Sequence, residues 1–258
     1  MLFRSEYLKL GSDLPGLARE FGHQLTDQQR QDALVLALAM DRIDDRIDSL
    51  PTREEREQVY RLVLDSLAHG QRDLSAESEP FRFALTGVRE AALRAGRLPE
   101  FCQVVEDLML LGESVRQVES PSRYADLAVR EADVTVALLY LILTPARPGP
   151  RFRRFLRQSG VVGNLFDKLV DLGEDRREGR SRVRWGAWWP LTRIILAASL
   201  EIPRLHPHPL ALLRWGASYL VYGLRYQLGL EPRLRPYERP RERALASRPA
   251  TCRFDPRD

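Results

Sequence analysis

Apolar and polar side chains follow one another along most of this chain in the pattern that is typical of amphipathic helices. Thr26 and Thr52 each begin a capping box, because a glutamine or a glutamate follows three residues later. The first of these helices should end near Pro51, since proline interrupts the helical hydrogen-bond ladder. Strand-like alternation is absent, so the sequence predicts an all-α fold. The later helices are predicted over about 52–69, 79–95, 98–118, 122–143, 151–176, 187–201 and 208–229.

The domain organisation follows from the same pattern. Helical sequence extends over residues 1–230 and predicts one domain, which suits a length of 258 residues. A proline-rich loop is expected at 144–150. From residue 231 onward arginine, proline and glutamate dominate, and 231–258 is therefore predicted to be a disordered tail.

Composition and charge exclude several classes of protein. Hydrophobic residues make up 44% of the chain and charged residues 29%, as in ordinary globular proteins. The net charge is +4, and much of the excess lies in the arginine-rich tail, so we expect no nucleic-acid partner. Two distant cysteines and a charged N-terminus predict neither a disulfide framework nor a signal peptide, which favours a cytoplasmic protein. The apolar segment 187–229 suits a buried helix pair or a membrane surface equally well, so peripheral membrane contact stays open.

Two stretches of helical sequence, roughly 120 residues apart, carry clustered carboxylates. Residues four apart share a helix face, so these carboxylates repel one another unless a cation neutralises them. Oxygen clusters of this kind suit Mg²⁺ bridged to substrate phosphates, and two such faces could form one diphosphate site. The first stretch contains Asp41, Asp44, Asp45 and Asp48, and the second contains Asp167, Asp171 and Asp175.

Other interpretations of the same residues need no ligand. An acidic helix face is often simply solvated, and the arginines of 176–184 could merely complement the negative end of a helix. His206 and His208 lie in a proline-rich turn without a third ligand, so we expect no zinc site.

The two acidic stretches resemble the aspartate-rich motifs of class I terpenoid synthases, most closely those of the squalene and phytoene synthase family. Residues 44–48, DDRID, are similar to the family's DDIVD, and residues 167–180, DKLVDLGEDRREGR, are similar to its NILRDVGEDARRGR. A weaker similarity joins residues 122–127, SRYADL, to a Tyr-x-Thr-x-x-Glu-Leu stretch. The resemblance covers about residues 30–185.

The resemblance implies a single-domain helical bundle of the class I terpenoid synthase type with a central active-site cavity. It implies an Mg²⁺-dependent enzyme that ionises a prenyl diphosphate such as farnesyl or geranylgeranyl diphosphate. Diphosphate would leave, and a cyclised, rearranged or condensed isoprenoid would form. Two or three Mg²⁺ ions are implied, with Mn²⁺ as the alternative.

Site residues are carried over from the matching motif positions. The implied metal ligands are Asp44, Asp45, Asp48, Asp167, Asp171 and Asp175, and those expected to be catalytic are Asp44, Asp48, Asp171 and Asp175. The implied diphosphate-binding residues are Lys168, Arg176, Arg177 and Arg180. Candidates for the apolar pocket lining are Leu34, Leu38, Val134, Leu138, Phe166, Trp188 and Trp189.

The sequence also departs from the family. Asp41 stands where the family has arginine, and both glycines of the family's middle helix are missing from 130–139, where Glu131 and Asp133 appear. That helix borders the prenyl pocket in the family, so the product stays open. A single-substrate cyclase or lyase, a head-to-head prenyltransferase of the squalene and phytoene synthase type, and a non-catalytic helical interaction protein are all retained. The oligomeric state, monomer or homodimer, is also undetermined.

Overall fold

The computed structural model of the protein describes residues 14–70, 74–143, 149–210 and 212. Within these ranges the chain is helical and contains no strand, which confirms the all-α prediction. A helical segment over 14–20, α1, precedes seven further helices. These are α2 (Asp27–Asp48), α3 (Arg53–His69), α4 (Glu79–Arg94), α5 (Leu98–Gln117), α6 (Pro121–Leu143), α7 (Pro150–Arg177) and α8 (Trp188–Leu205).

The helix boundaries follow the local signals in the sequence. At the start of α2 the Thr26 hydroxyl accepts a hydrogen bond from the Gln29 backbone, and the Gln29 side chain accepts one from the Thr26 backbone. Thr52 and Glu55 form the same capping box at α3. The structure corrects the predicted end of α8, which continues from residue 201 to Leu205. Pro203 removes one backbone donor but does not end the helix.

Three predictions fall wholly or partly outside the described residues. The structure describes only the beginning of the helix predicted over 208–229 and only the last two residues of the loop predicted at 144–150, and the tail predicted over 231–258 lies outside the described ranges. In the part of the chain that is described, no helix is both long enough and apolar enough to cross a membrane.

Helix α6 belongs to both halves of the hydrophobic core. On one side Leu138 and Ile142 pack with buried residues of α2, α3, α4 and α5. On the other side Tyr124 and Ala128 pack with α7, α8 and the end of α5. Helices α2 and α7, which carry the two acidic stretches, both contact α6.

A buried polar cluster joins α3 to α5. The Arg56 guanidinium donates two hydrogen bonds to the Glu113 carboxylate, at 2.6 and 3.1 Å, and the Tyr60 hydroxyl donates a third at 2.8 Å. Burial would raise the pKa of Glu113, but the hydrogen bonds from Arg56 and Tyr60 hold it below its ordinary value. The Glu113 carboxylate therefore stays ionised and anchors α5 to α3.

We expect Glu113→Ala to destabilise the protein by about 3 kcal/mol, because it leaves the buried Arg56 guanidinium without its counter-charge. Glu57→Ala is the matched control, since Glu57 pairs with the exposed Arg53 and should cost less than about 1 kcal/mol. Urea unfolding followed by circular dichroism measures both. Equal losses would show that the buried pair does not hold α3 on α5.

Candidate functional site

Both acidic stretches line one cavity of about 260 Å³ in the helical bundle. Asp41, Asp44 and Asp48 form a wall on α2, and Asp167, Asp171 and Asp175 form a wall on α7. On each helix a spacing of about one turn brings the carboxylates to the same face. Six of the seven aspartates singled out in the sequence therefore line the same cavity, although the two groups are more than 100 residues apart in the sequence.

Asp45 is the predicted metal ligand that does not line the cavity. Its carboxylate lies 3.9 Å from Arg42, on the same turn of α2. Asp44 and Asp45 are adjacent in the sequence, and an α-helix turns by about 100° between adjacent residues. Only one of the two can face the cavity directly, and in this structure it is Asp44.

The Asp44 carboxylate has a strongly perturbed acidity. Desolvation by the cavity walls, together with the nearby charge of Asp48, raises the pKa of Asp44 to about 7. The side chain is nevertheless exposed to water in the cavity, which weakens the effect of desolvation. On the opposite wall burial and the charge of Asp171 raise the pKa of Asp167 to about 6, and burial also raises that of Asp175. A cation placed between the walls would favour the ionised form of all these groups.

Arginine side chains connect the two walls at one part of the cavity. Arg180, in the turn after α7, lies 3.5 Å from Asp48 on α2 and 3.4 Å from Asp175 on α7. Arg116, from α5, donates a hydrogen bond to Asp48. Arg180, one of the implied diphosphate-binding residues, thus bridges the two acidic walls, whereas no motif in the sequence indicated Arg116.

Lys168 is the third cation of the cavity wall. Burial works against its charge, but Glu131 and other acidic neighbours raise the pKa of Lys168, so that it stays protonated. Its ammonium group lies 2.8 Å from the Glu131 carboxylate, which also accepts a hydrogen bond from Asn164 at 3.3 Å. Glu131, which the sequence showed only as a departure from the family, is therefore the residue that holds Lys168 in place.

The other two predicted diphosphate-binding residues lie away from the cavity lining. The guanidinium of Arg176 stacks on the ring of Trp185, 4.1 Å from its centroid. Arg177 donates to the backbone oxygen of Gly173 on the exposed side of α7. In the sequence these arginines are indistinguishable from Arg180, but the helix directs them outward. Asp133 likewise lies outside the lining and pairs with Arg157 at 2.6 and 2.7 Å.

The remainder of the cavity is apolar. Its lining comes largely from the core cluster of α2, α4, α5 and α6, and of the seven candidates from the sequence only Leu138 belongs to it. Trp188, Trp189 and Phe166 are exposed instead. The sequence did not indicate the helix pairs that meet at the cavity. The apolar side chains include Leu36, Ile43, Phe101, Val105, Met109 and Leu138.

The donor groups of the cavity are chemically suited to Mg²⁺. In the described ranges no three aspartate, glutamate, histidine or cysteine side chains converge closely enough to hold a metal ion by themselves. Mg²⁺ commonly takes only one or two protein carboxylates and completes its octahedron with water and phosphate oxygens. The two carboxylate walls fit ions whose remaining ligands are water and a diphosphate. Asp44 and Asp48 on one side, and Asp171 and Asp175 on the other, would hold them.

No protein-family model, curated protein or solved structure matches the chain. The family resemblance therefore rests on the residues of the two acidic stretches and on the weaker similarity at residues 122–127.

The raised pKa of Asp44 predicts a pH-dependent stability. The pKa of Asp44 is about 7 in the folded protein, against an ordinary value of 3.8. The protonated carboxyl group of Asp44 therefore contributes stability that is fully present below about pH 4 and is lost as the pH rises through 7. In EDTA at pH 8, Asp44→Asn should raise the Tm by about 2–4 °C, which corresponds to about 1 kcal/mol after screening by cavity water.

The comparison is made by thermal denaturation at pH 8 and at about pH 4.5, where the difference between Asp44→Asn and wild type should largely vanish. Asp107→Asn, at an exposed position of α5, is the matched control and should follow the wild type at both pH values. An Asp44→Asn variant with the pH dependence of the wild type would contradict the perturbed acidity of Asp44.

Proposed function

We propose that this protein is an Mg²⁺-dependent terpenoid synthase that ionises a prenyl diphosphate and releases diphosphate. The observation that carries the proposal is the pair of carboxylate walls on α2 and α7, which face one cavity with an apolar interior. A diphosphate with a hydrocarbon chain has the matching division into a highly charged end and an apolar end. Mg²⁺ bound between the walls would neutralise the diphosphate and make it a better leaving group.

The three cations of the cavity wall would bind the departing diphosphate. Arg116 and Arg180 already contact Asp48, and Lys168 lies between Glu131 and the acidic walls. A guanidinium donates parallel hydrogen bonds to phosphate oxygens, and the lysine contributes a localised positive charge. These residues would hold the diphosphate at the carboxylate end of the cavity while the carbon–oxygen bond breaks.

The apolar end of the cavity would hold the prenyl chain and its allylic cation. Phe101 is fully buried there, whereas Tyr60 and Tyr124 line the cavity beside its charged groups. Aromatic faces stabilise positive charge, and the aliphatic lining excludes water that would otherwise capture the cation early. These side chains would orient one chain and determine which of its carbons react.

A single prenyl chain suits the cavity better than two. The cavity volume, about 260 Å³, is slightly below the range of about 300–1,000 Å³ that is common for ligand pockets. In addition, the Glu131–Lys168 ion pair lies at the α6 wall of the cavity, where the sequence departs from the family that joins two substrates. A cyclase or related lyase is therefore our first candidate. The head-to-head prenyltransferase, favoured by the similarity of residues 167–180, is the second.

Pyrophosphate release from geranyl, farnesyl and geranylgeranyl diphosphate tests the proposal. We expect release with Mg²⁺, none in EDTA, and a loss of at least about 100-fold in Asp44→Asn and Asp171→Asn, because each removes one carboxylate that binds the metal. Asp107→Asn on α5 should retain full activity. Mass spectrometry of the products distinguishes one prenyl unit from two joined units.

Three results would contradict parts of this proposal. Full activity of both Asp44→Asn and Asp171→Asn would exclude them as metal ligands. A product built from two prenyl units would favour the condensing enzyme over the cyclase. A folded wild-type protein that is inactive on all three substrates would favour the non-catalytic interaction protein.

Lys168→Gln should lower kcat/KM for the prenyl diphosphate by about 10- to 100-fold, the range expected for loss of one charge-assisted hydrogen bond. Arg177→Gln is the matched control, because Arg177 follows the same motif but lies outside the cavity lining. Its kinetics should equal those of the wild type. Equal losses in the two variants would indicate that the motif, rather than the cavity, identifies the diphosphate-binding residues.

A further inference from the structure

Three tryptophans are exposed where α7 is followed by α8. Trp185 is 86% exposed, and Trp188 and Trp189 are 54% and 57% exposed. The rings of Trp188 and Trp189 contact each other edge to face, with centroids 5.8 Å apart. Tryptophans are enriched at membrane–water interfaces, where one part of the ring is apolar and the other is hydrated. The exposure of three neighbouring tryptophans indicates that this part of the surface contacts another molecule.

The exposed aromatic corner continues along α8. Trp189, Arg193, Leu196 and Leu200 follow one another at spacings of four, three and four residues, which places them on one helix face. Leu196 is 59% and Leu200 is 71% exposed. The opposite face carries the buried Leu191 and Ala198, which pack in the core. We call the exposed set, Trp185, Trp188, Trp189, Leu196 and Leu200, the α8 surface.

Arginines outnumber carboxylates beside the α8 surface. Residues 176–193 contain six arginines and one acidic residue, Glu178, although Arg180 faces the cavity and Arg184 pairs with Glu119 at 2.8 Å. Arg182 and Arg193 are exposed, and Arg176 lies directly against the Trp185 ring. This basic surround is complementary to an anionic surface. Contact between two copies of the same face would bring like charges together, which disfavours a second copy as the partner.

We propose that the α8 surface binds the surface of a bilayer that contains anionic lipids. The tryptophans and leucines would enter the interfacial region, and the arginines would contact the lipid head groups, as in helices that lie parallel to a membrane. This proposal goes beyond the terpenoid synthase function and does not depend on it, because the α8 surface shares no residue with the cavity lining.

Vesicle flotation with the full chain tests the proposal. The wild type should float with vesicles of phosphatidylcholine mixed with phosphatidylserine, and only weakly with phosphatidylcholine alone. Replacing Trp185, Trp188 and Trp189 together by Ser should reduce binding by at least about 10-fold. Arg182→Glu and Arg193→Glu should each reduce binding to anionic vesicles by about fivefold or more, the factor expected for one basic residue near such a surface.

Two control variants keep the test specific. Leu110→Ser removes an equally exposed leucine from α5, and Arg61→Glu reverses an exposed charge on α3. Both should bind anionic vesicles like the wild type. Circular dichroism establishes that each variant is folded, and since the arginine variants alter only exposed residues, they test the proposal even if the tryptophan variant fails to fold.

Three results would overturn the proposal. The first is absence of wild-type binding to anionic vesicles. The second is binding that neither the tryptophan nor the arginine variants weaken. The third is a dimer in sedimentation velocity that the tryptophan variant dissociates, without vesicle binding, which would make a second copy the partner. Prenyl diphosphate turnover is measured separately, so its absence leaves the result of the flotation experiment unaffected.

Discussion

Electrostatic repulsion between the carboxylates of the cavity is the constraint that the charged side chains around it offset. Asp44 and Asp48 on α2 lie across one cavity from Asp167, Asp171 and Asp175 on α7, and burial raises the pKa of several of them. Folding gains no stability from bringing like charges together. The protein offsets the repulsion with Arg116, Lys168 and Arg180, each placed by a different contact. Such a cluster of perturbed carboxylates is typical of functional sites, and cations would relieve the repulsion.

Helix α6 makes this arrangement possible, because it is shared by both core clusters. Its apolar positions, such as Leu138, complete the cluster that forms the hydrophobic end of the cavity. About two turns away on the same helix, Glu131 holds Lys168 beside the acidic walls. The change from polar to apolar along a single helix gives the cavity its two ends. The division between diphosphate and hydrocarbon in the proposed substrate corresponds to the division along α6.

The acidic cavity and the α8 surface are separate features that are connected by α7 and the segment after it. Helix α7 carries one acidic wall, and the segment that follows it carries first Arg180 and then the exposed tryptophans. Along this segment the arginines divide into two groups. Arg180 contacts the carboxylates of the cavity, whereas Arg176 contacts Trp185 on the exterior. One basic stretch of sequence therefore serves an interior site and a surface, according to the direction of each side chain.

The sequence alone determined the helices and the two acidic faces, because capping boxes, prolines and four-residue spacing act locally along the chain. It could not determine which members of each motif face inward. Asp45, Arg176 and Arg177 belong to the motifs but lie off the cavity, since neighbouring helix positions point about 100° apart. Nor could the sequence indicate that Arg116 contacts Asp48 or that Glu131 pairs with Lys168, because these contacts join helices that are distant in the chain. Only the packing of α2 and α7 on α6 decided these, because contacts between helices depend on how whole faces fit together rather than on local spacing.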